Sequence, residues 1–196
     1  MVSRPDGSGP RKEKSALALF FLLPLEVLKD VMKRKVAYNA CYGGFGLSPI
    51  AQVKLYELKN PGKKVYVYSS EYLHDSKNFE QKYTRQDGDI SGLRSFSVTF
   101  LTEDLGPEFV RASFFEKDHV PTELEQKFED SFVCPDWELD RTDPDLIKVI
   151  EELGTEAASG DCSCIEIADI GESKYHIDEY DGLETVITGL PDDYWQ

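Results

Sequence analysis

The residues best suited to chemistry lie in one stretch, NACYGGFGLSPI, at positions 39–50. Cys41 ends a predicted strand, and Ser48 begins a predicted helix. A thiol close to a helix amino terminus can be held as a nucleophilic thiolate if a base lies beside it. The histidines that could act as that base are His74, His119 and His176. The alternative is that Cys41 is a small buried core residue, as free cysteines commonly are.

The glycines between the strand and the helix could instead bind an anion. A glycine turn that leads into a helix presents unpaired amides and the positive end of the helix dipole, which suit a phosphate, a nucleotide or a carboxylate. The segment lacks the Lys-Ser/Thr ending of a P-loop and the dinucleotide-binding fingerprint. The other interpretation is structural, with Phe45 filling the core and Tyr42 covering the turn. The residues of the candidate ligand site are Tyr42, Gly43, Gly44, Gly46 and Ser48.

The cysteine spacing does not indicate a metal site. The cysteines are Cys41, Cys134, Cys162 and Cys164. Structural zinc sites usually need two close pairs, or a cysteine pair with a histidine pair, and this chain has one close pair. We therefore expect no metal, no cofactor and reduced thiols.

Local signals predict the elements that hold this stretch in place. KVAYNAC, at 35–41, has the pattern of a short buried strand. Ser48 and Pro49 suit the N-cap and first position of a helix, which should end at 60–62, where the sequence is Asn-Pro-Gly. A second helix is expected at about 144–158, again beginning with a proline.

The remaining patterns predict strands and a polar middle region. Strands are expected at 63–72, 96–106 and 162–170, and a pair of strands joined by Asp181-Gly182 is expected within 174–188. Residues 73–95 are predicted to be a mobile excursion, and short helical turns are predicted within 105–117 and 121–133. The fold class is therefore α+β, with a small mixed β-sheet covered by helices at about 48–59 and 144–158. We expect one domain over residues 33–190, in which 73–140 are a variable insertion.

Residues 1–31 are predicted to be an extension, consisting of a disordered basic arm and a short apolar segment at 15–25. That segment is too short to span a bilayer, and no small-residue cleavage site follows it. Three interpretations remain open. Translation could begin near Met32, the segment could be a helix docked on the domain or on a partner, or it could direct secretion or membrane association. We expect no membrane contact elsewhere in the chain.

Charge is distributed unevenly along the chain, whose net charge is −15. Residues 1–64 carry twelve Lys or Arg against five Asp or Glu, a balance of +7, and residues 65–196 carry ten against thirty-two, a balance of −22. An acidic body repels phosphate backbones, so we expect no direct nucleic-acid binding through residues 65–196. The acidity could also serve solubility alone.

Three stretches, in the same order, resemble an uncharacterised protein family of tailed phages and large DNA viruses. They are NACYGGFGLSPIA near the beginning, RTDPDLIKVIEELGTEA late in the chain and KYHIDEYDGLETV near the end. The resemblance covers about seventy residues. It implies a natural start close to Met32 and a variable middle third, and it implies no catalytic residues. Thr185 replaces the tryptophan that the family has after its EYDG-x-E motif.

These observations favour a viral accessory or interaction protein that is not an enzyme. Its partner would be a host or virion component, and its location the host cytoplasm or the virion. The alternative function is a small enzyme or ligand-binding module that acts on an anionic metabolite at the glycine turn, residues 43–48. The sequence does not indicate an oligomeric state.

Overall fold

The computed structural model describes residues 34–73, 80–112 and 120–191. It confirms the α+β class: several antiparallel sheets, one of them a curled five-stranded half-barrel, combine with three main helices. The predictions for residues 1–31, His74 and His119 fall outside the described residues.

The first structural unit joins the two ends of the described chain. Strand β1 (Arg34–Asn39) pairs antiparallel with a late strand, Ile165–Gly171, which is β7 in chain order. Helix α1 (Pro49–Lys59) and helix α3 (Pro144–Leu153) pack together against this pair. Their shared core contains Ala37, Leu47, Leu55, Leu146, Val149, Ile150 and Ile165, all buried.

Both helices begin where the sequence predicts. The hydroxyl oxygen of Ser48 accepts a hydrogen bond from the amide of Ala51, and the Asp143 carboxylate accepts one from the amide of Asp145; a proline occupies the first turn in both helices. Helix α3 ends at Leu153, whereas the sequence predicted an end at about residue 158. Gly154 has φ 81° and ψ 152°, which breaks the helix, and a separate short helix, α4 (Thr155–Ala158), follows.

The larger sheet is built from the middle of the chain. Its strands are β2 (Tyr66–Tyr72), β3 (Glu80–Arg85), β4 (Val98–Leu101), β5 (Glu108–Ala112) and β6 (Phe132–Val133). They lie in the order β5-β3-β2-β4-β6, and every neighbouring pair is antiparallel. The predicted single mixed sheet is therefore replaced, in the described residues, by separate antiparallel sheets.

Two predictions for the middle region are wrong. Residues 80–85 form a strand although 73–95 were expected to be a mobile excursion, and residues 108–112 form a strand where helical turns were expected. These two strands pair with each other, and the ring of Tyr83 stacks on that of Phe109 with centroids 4.9 Å apart. Helix α2 (Glu123–Ser131) lies within 121–133, where a short helical turn was expected, and covers the stack through Phe128. The insertion status of 73–140 stays a prediction, although those residues supply four of the sheet's five described strands.

The last element is a β-hairpin. Strand β8 (Tyr175–Tyr180) pairs with strand β9 (Leu183–Thr188), as predicted. The turn residues Asp181 and Gly182 have φ values of 51° and 81°, and two consecutive positive φ angles are typical of the tight turns that match strand twist. Across the described ranges, none of the helices combines the length and the apolar character that crossing a bilayer requires.

Candidate functional site: the glycine turn and the adjoining cleft

The predicted turn between β1 and α1 exists, and its glycines are required. Gly43 and Gly44 have φ values of 124° and 89°, which side chains other than glycine rarely adopt. A Cβ atom on Gly43 would lie 2.3 Å from the carbonyl oxygen of Cys162. On the other side, a Cβ atom on Gly182 would lie 2.2 Å from the amide nitrogen of Gly44. The tip of the β8–β9 hairpin therefore packs directly on the backbone of the glycine turn.

The buried side-chain amide of Asn39 forms hydrogen bonds with three segments of the chain. The side chain of Asn39 donates to the carbonyl oxygens of Cys41 and Gly182, both at 2.6 Å. Its Oδ1 accepts from the amide of Cys164 at 2.8 Å. Asn39 is fully buried, and its hydrogen bonds reach both neighbouring elements, so it holds the strand end, the hairpin and β7 in one arrangement.

A buried ion pair completes the contact. Nη2 of Arg141 donates to Oε1 of Glu184 at 2.8 Å, and the guanidinium group lies over the ring of Phe45, 3.4 Å from its centroid. The other carboxylate oxygen of Glu184 accepts from the amide of Asn39 at 2.7 Å. Burial lowers the pKa of Arg141, and the adjacent carboxylate opposes that shift. The arginine stays charged because its ordinary pKa exceeds 12.

Asn39, Arg141 and Glu184 were not predicted as site residues from the sequence. Asn39 could have been identified, because a polar residue inside an apolar strand pattern must find hydrogen-bond partners. Arg141 and Glu184 gave no local signal, since each lies among other charged residues. Residues from three separate parts of the chain meet here, since Asn39 contacts Gly182 and Glu184, and Glu184 pairs with Arg141.

The candidate ligand residues differ in their burial and in their hydrogen bonds. Ser48 is buried, and its hydroxyl group donates to the carbonyl oxygen of Ala157 at 2.6 Å while it caps the helix. The carbonyl oxygen of Gly46 accepts from the amide of Gly160 and from the hydroxyl of Ser163. Tyr42 is 63% exposed, and the tip of the β8–β9 hairpin packs on the backbone of the glycine turn. Ser48 therefore serves the fold, and Tyr42 is free to contact a partner.

Cys41 lacks the surroundings of a nucleophile. A hydrogen bond with Cys164 and partial burial raise the pKa of its thiol, which disfavours the thiolate. His176 lies on β8, five residues before the turn residue Asp181, a distance of about 16 Å along a strand. Among the described residues, the side chains that shift the pKa of the Cys41 thiol are those of Cys164 and Cys162. The described residues also contain no group of three side chains arranged to hold a metal ion.

A cleft of about 350 Å³ opens beside the glycine turn, between the first unit and the half-barrel. Its walls are mainly apolar, with Phe45 and Leu47 on the side of the turn and Phe100 and Val133 on the side of the sheet. Phe96 and Phe132 also line it and are exposed. A cleft of this size can accept a small molecule or one or two side chains of a partner.

The charged residues that line the cleft are both acidic. Oδ2 of Asp161 accepts from the amide of Ser95 at 2.5 Å, and Oδ2 of Asp136 accepts from the amide of Leu47 at 3.4 Å. Among the described lining residues none is Lys, Arg or His, although Arg94 lies at the rim over the ring of Phe96. Burial, together with Asp136, raises the pKa of the Cys134 thiol. The cleft thus offers apolar surface and negative charge.

The fold and the cleft define the class of protein as a small α+β protein with an apolar, acidic cleft beside a glycine turn. No protein-family profile, no curated protein and no solved structure matches the chain.

Proposed function

We propose that this chain is a non-enzymatic interaction protein, a viral accessory factor that binds a host or virion protein through the cleft. The viral assignment follows from the resemblance of the three sequence stretches, and the proposed location is the host cytoplasm or the virion. The binding role is argued from the distribution of exposed aromatic side chains.

One observation carries the proposal: two exposed phenylalanine side chains line the cleft. Phe96 and Phe132 line it, and Phe96 is 71% exposed. Trp137, which is 73% exposed, follows the lining residue Asp136, and Tyr42 precedes the lining residue Gly43. Exposed aromatic residues are costly in water and are enriched at the centres of protein interfaces, where they supply much of the binding energy.

The chemistry of the described residues favours binding over catalysis. The thiol of Cys41 has a raised pKa, and the side chains in the described ranges that shift this pKa are those of Cys164 and Cys162. Asp136 and Asp161 are each engaged by a backbone amide, which holds them as fixed negative charges. A fixed charge at the mouth of an apolar cleft contributes to recognition.

The test is to capture partners on the immobilised full chain and then to measure binding of each purified candidate by calorimetry. Phe96→Ser/Phe132→Ser removes two exposed rings that line the cleft. Tyr72→Ser is the matched control, because Tyr72 is 57% exposed and does not line the cleft. We expect the double variant to weaken binding at least tenfold and the control to leave it unchanged. Equal affinity for all three proteins would contradict the proposal.

The second candidate function is a ligand-binding module or small enzyme for an anionic metabolite at residues 43–48. The observation in its favour is that the cleft borders Gly43, Gly44 and Gly46. The carboxylates of Asp136 and Asp161 oppose an anion there. A thermal-shift screen with nucleotides and sugar phosphates tests it, because a ligand at 100 times its Kd stabilises the fold by about 2.7 kcal/mol. If no anion raises the melting temperature, this candidate is excluded.

A further inference from the structure

We infer that the partner segment bound in the cleft is a basic peptide with an apolar anchor: an aromatic or large aliphatic side chain flanked by Lys or Arg. The inference rests on the proposed function, and it adds the chemistry of the partner. It follows from the walls of the cleft and from the sign of its charges.

The apolar anchor follows from the walls. Among the lining residues, Leu47 is fully buried and Phe100 nearly so, Phe45 and Val133 are half-buried, and the ring of Phe96 is exposed. The cleft therefore grades from a buried apolar floor to an aromatic rim. A volume of about 350 Å³ suits a single large side chain and its neighbour rather than a whole folded element.

The positive charge follows from the carboxylates. Asp136 and Asp161 both line the cleft; the amide of Ser95 holds Asp161 at 2.5 Å, so that carboxylate loses little freedom when a cation binds, and Asp136 has a longer contact of 3.4 Å with the amide of Leu47. Glu138, two residues after Asp136, is also exposed and acidic. Two arginines lie on rings that line the cleft: Arg94 is exposed and lies over Phe96, whereas Arg141 lies over Phe45 and is neutralised by its ion pair with Glu184. A basic segment is attracted by this arrangement, whereas an acidic one is repelled.

The probe is a library of random 12-residue peptides displayed on phage and selected on the immobilised full chain. Enriched sequences are made as fluorescein-labelled peptides, and their affinities are measured by anisotropy in 50 mM and 500 mM NaCl. We expect enriched peptides to share an apolar residue flanked by Lys or Arg. We also expect their affinity to fall at high salt, because the charge attraction is screened.

Asp136→Asn/Asp161→Asn tests the carboxylates directly. Asparagine keeps an oxygen that can accept from the amides of Leu47 and Ser95, so the local structure is retained. Glu57→Gln/Glu172→Gln is the matched control, since it also removes two negative charges, but from exposed positions outside the cleft. We expect about a tenfold loss of peptide affinity in the first variant and less than a twofold loss in the control. Exchanging Lys and Arg for Glu in the peptide should abolish binding to the unaltered protein, a test that needs no protein variant.

The failures of the two proposals are distinguishable. If the enriched peptides are neutral or acidic and still lose affinity with Phe96→Ser, this inference is overturned while the proposed binding role stands. If no enriched peptide depends on Phe96, both are overturned. A concentration-dependent dimer that dissociates with Phe96→Ser in sedimentation experiments would assign the cleft to a second copy and overturn the inferred partner.

Discussion

Replacing Gly182 by alanine should be among the most damaging single-methyl changes in this protein. Gly182 has φ 81°, and a Cβ atom added there would meet the amide nitrogens of Gly44 and Gly43 at 2.2 and 2.7 Å. Those atoms are backbone, so a side-chain rotation cannot relieve the overlap. The hairpin tip must move away from the glycine turn, and the hydrogen bond from Asn39 to the carbonyl oxygen of Gly182 must lengthen.

Gly62 allows the steric effect to be separated from backbone strain. Its φ is 82°, almost the same as that of Gly182, yet a Cβ atom there would meet nothing within 4 Å. Gly62→Ala should therefore cost only the strain of a left-handed alanine, about 1–2 kcal/mol. Gly182→Ala should add about 1–3 kcal/mol for the forced separation and about 1 kcal/mol for the weakened hydrogen bond. The expected difference between the two variants is about 2–4 kcal/mol.

Urea unfolding of the full chain, followed by far-UV circular dichroism, measures that difference. With a denaturant slope of about 1–3 kcal/mol/M, the midpoint of Gly182→Ala should lie roughly 1 M or more below that of Gly62→Ala. Fitted slopes must agree among the variants for the comparison to hold. Equal midpoints for the two variants would refute the close backbone contact and, with it, the junction between the hairpin and the glycine turn.

Three further predictions concern buried or capping groups. Arg141→Met should destabilise the fold by about 3–5 kcal/mol because it leaves Glu184 buried and unpaired; Glu184→Gln in the same chain should restore part of the loss, and strict additivity in this double-mutant cycle would contradict the buried pair. Burial raises the pKa of Tyr68 to about 12, so the neutral phenol contributes fully to the free energy of unfolding below about pH 10, the ordinary pKa, and roughly 2–3 kcal/mol of that contribution is lost as the pH rises towards 12. Unfolding curves of the unaltered protein and Tyr68→Phe at pH 9 and 11.5 should converge accordingly, and a constant gap would refute it. Ser48→Ala should cost about 1–2 kcal/mol in urea unfolding, since the cap and the bond to the Ala157 carbonyl are both lost, and an unchanged midpoint would show that the cap is dispensable.

The features that sequence predicted are those encoded by neighbouring residues. Ser48-Pro49 fixes a helix start because cap and proline act within one turn, and Asp181-Gly182 fixes a hairpin because both residues tolerate positive φ. Gly43 and Gly44 likewise marked the turn between strand and helix. In each case the conformation is set over two to four residues, so the pattern alone was sufficient.

The features that sequence did not predict depend on distant partners. Residues 80–85 and 108–112 lack a clean alternation of apolar residues, and they become strands because they pair with each other and stack Tyr83 on Phe109. The candidate site shows the same limit. The glycine turn was recognised, but its contact with Gly182, and the cleft on its other side, arise from the packing of separate sheets.

The pairing of β1 with β7 has a consequence for synthesis on the ribosome. Asn39 pairs with Ile165, so 126 residues must be added after the first strand before its partner begins to emerge. At a synthesis rate of 5–20 residues per second, strand β1 lacks its partner strand for about 6–25 s. The strands between residues 66 and 133 can pair during that interval, because all of their partners lie within the same stretch. Nascent chains arrested before residue 165 should therefore protect the half-barrel from protease while the first strand stays open to a chaperone.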